Sequence, residues 1–212
     1  MTILVPILAA GAVAASGSFG CSKSEDEAPK PAASASPVAP STHNRLKFKG
    51  GERYATDLAE ALAIPRGELC KELSAYDCAD VVHKISLGGI EPYRQTIYRP
   101  LPDRTVASAN AVDRIALSGC ESRAAKDFAD GSKAVLFGEL ALGGAAPGKD
   151  AQAAVARRLY LRLMRREATT EEIAALGDLY TDIATAAGAE GPRRFATLAC
   201  FAVATTEEAL FY

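Results

Sequence analysis

The side chains best suited to chemistry in this sequence are five cysteines and two histidines. Cys70, Cys78, Cys120 and Cys200 lie behind an apolar leader that points to export, and four thiols in an exported chain read as two disulfides. Sequence alone allows three pairings. We favour Cys70–Cys78, which closes a short loop between adjacent helices, with Cys120–Cys200, which ties a long helix to an apolar last one. The other use of thiols is a metal site from Cys70, Cys78 and His83. That spacing matches no usual zinc pattern, and an oxidising compartment disfavours free thiolates. No Cys-x-x-Cys-His sequence is present for haem attachment. His83 stands near Asp80, but a catalytic His–Asp pair needs a nucleophile, and the chain has no Gly-x-Ser-x-Gly elbow. A structural or surface role for His83 is the expectation. His43 lies in a stretch with nothing to hold the imidazole. The sequence thus leads us to expect no catalytic residue, no metal and no cofactor.

Charge offers one more candidate. Arg157, Arg158, Arg162, Arg165 and Arg166 gather on the polar side of one predicted helix, where they could meet an anionic lipid surface or an acidic partner. A solvated helix face is the plainer reading. Glu171-Glu172 and Glu207-Glu208 sit at helix starts, where the macrodipole accounts for them. The pairs Gly88-Gly89 and Gly143-Gly144 lack the context and lysine of a phosphate loop. A formal charge of −2 argues against nucleic acid as a partner. With 7% aromatic residues and no tryptophan, there is little material for a stacking platform.

The elements that must position these residues are helical. From Val155 to Leu176 the pattern gives an αα-hairpin. Ala156, Leu159, Tyr160, Leu163 and Met164 share one face of its first helix. Thr169 and Glu172 make a capping box, and Ile173, Leu176, Leu179, Tyr180 and Ile183 line the second helix. Earlier, Arg53 to Leu62 predicts a short helix, Pro65 opens another carrying Leu69 and Cys70, and Asp77 caps a helix from Cys78 to Ser86. Residues 90–104 read as an extended crossing segment with one short strand pair. Ser108 is the expected cap of a long helix to Ala129, with Val112, Ile115, Ala116 and Gly119 as its stripe and Cys120 at the edge. Residues 134–142 form an apolar segment of undetermined type. The last helix starts at Pro192, is apolar almost all round, and should be buried and central.

Residues 2–20 are apolar and end in Ser18-Phe19-Gly20 before Cys21. This resembles a bacterial lipoprotein signal peptide with its lipobox, and the resemblance implies that Cys21 is lipidated and becomes the mature N-terminus. A plain signal peptide or a membrane anchor is the alternative, although about 20 residues rich in Gly, Ala and Ser are marginal for a span. Residues 22–50 are rich in Pro, Ala, Ser and charge. They read as a disordered spacer whose r.m.s. reach as a flexible coil is roughly 30 Å.

The C-terminal block, ARRLYLRLMRREATTEEIAAL followed by RRFATLACFAVATTEEALFY, resembles helical modules in uncharacterised exported proteins of planctomycetes and myxobacteria. Some of those carry cytochrome-c-like domains on the same chain. The segment CKELSAYDCADVVHKISLGGIEPY is similar to predicted myxobacterial lipoproteins. Neither resemblance brings an activity or a catalytic residue with it. The expectation is therefore an all-α, irregular multi-helix bundle over residues 51–212. It follows a signal peptide (1–20) and a lipidated, disordered linker (21–50). The expected function is that of a non-enzymatic, membrane-anchored lipoprotein of the cell envelope with an interaction domain and an unidentified protein partner. The alternatives are an accessory domain of a periplasmic redox or degradative system, and a hydrolase with a site near His83.

Overall fold

The computed structural model describes residues 46–101, 105–142 and 146–212. The expected leader, Cys21, nearly all of the linker, residues 102–104 of the crossing segment and residues 143–145 of a later loop lie outside the described residues. Helix α1 (Gly51–Leu62) buries Tyr54, Leu58 and Leu62, the predicted one-turn spacing, together with Ala55 and Ala59. It ends at Ala63, whose left-handed φ of 50° turns the chain back. The N–H of Ile64 then reaches the carbonyl of Ala59 at 3.0 Å.

The folded domain begins before Gly50, where the linker was expected to end. Phe48 bridges Phe211, the Lys49 N–H donates to Leu210 O at 2.9 Å, and the Tyr212 N–H donates to Lys47 O at 3.0 Å. The two phenylalanine rings meet edge-on at 5.8 Å. Low-complexity composition hides this segment, because its partner is the far end of the chain.

The helix expected after Pro65 is a single 3₁₀ turn, Arg66–Glu68. Cys70 leads instead into a two-stranded antiparallel hairpin, β1 (Lys71–Glu72) and β2 (Tyr76–Asp77). The reason is tertiary: Cys70 and Cys78 are bridged across the hairpin's base with Cα atoms 5.5 Å apart. Asp77 caps the next turn, its Oδ1 accepting from Ala79 N and Asp80 N. That turn is a wide one, Cys78–Val82, rather than a helix to Ser86. Beyond it, Gly89 passes so close to Lys84 that a Cβ would lie 2.8 Å from the Lys84 carbonyl oxygen. Residues 90–101 are irregular, with one antiparallel bridge between Glu91 and Ile97 where a strand pair was expected.

Helix α2 (Val106–Ala129) ends where predicted but starts three residues early, because its cap is Thr105 and not Ser108. Ser108 sits inside the first turn, accepting from Thr105 N at 3.3 Å and donating to Ser86 O at 2.6 Å. Its hydroxyl is drawn inward by that carbonyl. Val112, Ile115, Ala116 and Cys120 are buried as one stripe, and Gly119 allows Leu69 to lie where a Cβ would come within 2.7 Å of its Cδ1. The undetermined segment becomes α3 (Gly138–Leu142), and α4 (Lys149–Met164) comes after it. Next are α5 (Thr170–Ala187), α6 (Gly191–Ala204) and the single turn α7 (Glu207–Leu210). The capping box forms as read: Glu172 N donates to Thr169 Oγ1 at 3.2 Å, and Thr169 N donates to Glu172 Oε2 at 2.7 Å.

Helix α6 is the centre, packed against α2, α3, α4 and α5. Phe195, Ala196, Ala199, Cys200, Val203 and Ala204 are buried, while Arg193, Arg194, Leu198 and Ala202 stay exposed on one flank. The fold is all-α, with seven helices and one small sheet among the described residues. The second disulfide, Cys120–Cys200, joins α2 to α6 with both residues fully buried.

The two bridges close loops of very different size, 8 and 80 residues in sequence separation. In the chain-entropy model these are worth about 2.5 and about 4.5 kcal/mol. Cys200→Ala should therefore lower the Tm more than Cys78→Ala, read by calorimetry without reductant. Equal shifts would contradict the loop-size account.

Candidate functional site

His83 is held between the hairpin and α2. Its Nε2 lies 2.6 Å from Glu72 Oε1, and Arg114 donates to the same oxygen at 2.7 Å. Asp80, its partner in the hydrolase reading, is engaged elsewhere, accepting from Arg66 at 2.8 Å. Ser86 Oγ donates to the His83 backbone carbonyl, not to the ring. The cluster thus joins β1, the Cys78 turn and α2 as a polar tie, and Glu72 is held below the usual carboxylate range by its bond to His83 and by Arg114. The metal set of Cys70, Cys78 and His83 is not assembled, because the two sulfurs are bonded to each other and the ring faces Glu72. Among the described residues no group of three His, Cys, Asp or Glu side chains is placed to hold a metal.

The five arginines of α4 and its C-terminal turn do not present one open face. Arg158 donates to Leu136 O and to both oxygens of Glu139. Arg162 donates to Ala61 O at 2.6 Å and Glu60 O at 3.3 Å, closing the exposed carbonyls at the end of α1. Arg166 lies 4.9 Å over the Tyr160 ring and bonds Glu172 and Glu208 together. Arg157 and Arg165 alone of the five are exposed. Helical periodicity put these side chains on the polar side of α4, but α1, α3 and α7 supply acceptors there. The candidate anionic-partner face is thereby reduced to two residues.

A cluster that sequence reasoning missed lies at the end of α2. Asp127 is fully buried and accepts from the backbone N–H groups of Val135, Leu136 and Phe137 at 3.0, 2.8 and 2.9 Å. Arg123, one turn earlier and 7% exposed, donates to its Oδ1 at 2.6 Å. Its Nε is buried without a hydrogen-bond partner among the described residues. The signal was present: Asp127 continues the Ala116, Cys120, Ala124 stripe at helical spacing, where a charge should not be left solvated. The role is architectural, replacing water around three orphan donors with one carboxylate.

This geometry has two electrostatic consequences. Glu172 is drawn down to about 2 by its bond from Arg166 and then by the Thr169 N–H, and Glu208 is lowered by the same guanidinium. Groups depressed in the folded state give stability that is complete above their unfolded value. It is lost as pH falls through the folded value, because the unfolded chain takes up protons first. Stability should therefore fall between about pH 4.5 and about pH 2, and Arg166→Ala should flatten that decline in denaturant titrations. An undiminished acid slope would count against the cluster. Asp127→Asn removes the charge facing a buried arginine and cannot satisfy all three amides, so it should cost about 3 kcal/mol. The exposed Asp178→Asn should stay within about 0.5 kcal/mol in the same denaturation assay. Comparison with protein-family models, curated proteins and solved structures finds no match to this chain.

Proposed function

We propose that this chain is a lipid-anchored protein of the bacterial cell envelope whose helical domain works by binding a protein partner rather than by catalysis. The observation that carries the reading is the disulfide pair, and above all the fully buried bridge between α2 and α6. Structural disulfides form and persist outside the reducing cytosol. A core built around one suits the export that residues 2–21 imply on resemblance to a lipoprotein leader. Among the described residues no helix is long and apolar enough to cross a membrane. The polar clusters give further support. His83, Arg158, Arg162, Arg166 and Asp127 are each engaged in ties between elements of the fold.

The anchor is tested at Cys21. In the native host, labelled fatty acid should enter the wild-type chain, which should partition into detergent on phase separation. Cys21→Ser should take up no label and leave the detergent phase. Labelling that persists in Cys21→Ser, or a wild-type chain that takes up no label, would overturn lipid attachment at Cys21.

A further inference from the structure

The stretch between the first disulfide and α2 differs from the rest of the surface. Nine of the fifteen large apolar side chains exposed among the described residues fall between Leu73 and Val106. Exposed apolar side chains are unremarkable when scattered singly, but their concentration in one segment marks a contact surface. Tyr93 is the extreme case at 95% exposed, and Tyr98 is 71% exposed. Both precede an exposed arginine, Arg94 and Arg99.

Residues 91–97 are held, not trailing. Glu91 and Ile97 exchange backbone hydrogen bonds of 3.0 and 3.1 Å and close residues 91–97 into a loop, with Gln95 N also donating to Glu91 O. Thr96 takes a left-handed φ of 56°, an uncommon conformation for a β-branched residue. Lys84 anchors the loop base through Glu91 at 3.5 Å. Tyr93 and Arg94 then line a groove of about 410 Å³ together with Val81 of the Cys78 turn and Ile85 beyond it.

The charge around this groove is uneven. Arg66 is paired with Asp80, Lys84 with Glu91, and Arg114 with Glu72. Arg94 and Arg99 have no ion pair or hydrogen bond among the described residues. Two exposed guanidiniums without an ion pair among the described residues, each next in sequence to an exposed phenol, match the composition of binding hot spots. There tyrosine brings area at low entropic cost and arginine brings charge.

We propose that the 91–97 loop, carrying Tyr93 and Arg94, together with Tyr98 and Arg99 that follow it, is the docking surface for an acidic segment of a partner protein. One apolar side chain of that segment seats in the groove against Val81 and Tyr93, while neighbouring carboxylates meet Arg94 and Arg99. A bilayer fits less well, because a flat lipid surface leaves the groove empty. This inference rests on the interaction-domain reading and names the chemistry of the partner.

The test uses the full chain in detergent micelles with a labelled synthetic peptide that alternates glutamate with leucine. The same peptide with lysine for glutamate serves as the control. The acidic peptide should bind by fluorescence anisotropy and the basic one should not. Tyr93→Ala and Arg94→Glu should each weaken binding roughly tenfold or more. Leu161→Ala, an exposed position on α4, should leave it unchanged. All these positions are exposed, so equal Tm values confirm that the variants fold. No binding of the acidic peptide, or binding indifferent to Tyr93 and Arg94, overturns the proposal. Binding to anionic phosphatidylglycerol vesicles that Arg94→Glu abolishes, with no peptide binding, also overturns it and assigns the loop to the membrane. Failure of fatty-acid labelling at Cys21 would sink the anchored reading while leaving the peptide result intact.

Discussion

Helix α2 carries a covalent constraint on which the rest of the bundle is hung: Cys120, at its middle, is bonded to Cys200 in the centre of α6. Both residues sit among small side chains, with Ala116 and Ala124 on one helix and Ala196, Ala199 and Ala204 on the other, all buried. Small residues let two helices approach closely, and the bridge then holds them in that register. Because α6 also touches α3, α4 and α5, fixing it against α2 fixes most of the remaining core. Gly119 extends the same close packing towards α1, where Leu62 and Leu69 fill the space a side chain would occupy.

Polar ties set what the apolar contacts leave free. Asp127 collects three successive amides at the start of α3, and Glu139 on that helix receives Arg158 from α4. Arg162 closes the end of α1, and Arg166 draws α5 and α7 together through Glu172 and Glu208. Arginine suits this work, since one planar guanidinium can satisfy several acceptors at fixed angles. The partly exposed pairs contribute little stability singly, so their value lies in orientation. Asp127 is different. The buried amides of Leu136 and Phe137 would otherwise face an apolar core.

A bundle built this way leaves one region outside its regular packing, the segment from Cys70 to Leu101. The first disulfide and the His83–Glu72–Arg114 cluster hold that segment against α2 without covering it. The consequence is a rigid base that carries exposed tyrosines and arginines. Such a division of labour, with a regular core and a fixed irregular surface, is how many helical domains present a binding site.

Much of this was legible in the amino-acid sequence. The helical period gave α1, α2, α4, α5 and α6 because each buries a stripe whose spacing is local. The Thr169–Glu172 box was readable because both partners lie within one turn. Of the three cysteine pairings that the sequence allows, the one favoured for its short first loop and for the two long helices it joins is the one formed. The features that stayed hidden depend on partners far away in the chain. Phe48 pairs with Phe211, more than 160 positions away in the chain, and Ser108 turns inward because Ser86 O is there. The arginines of α4 looked like a solvated face because α1, α3 and α7 are invisible to periodicity. Side-chain spacing is a property of one element, and it was determined by the sequence alone. Whether a charge meets water, a carboxylate or a backbone carbonyl is decided when elements pack, because only then is its solvent replaced.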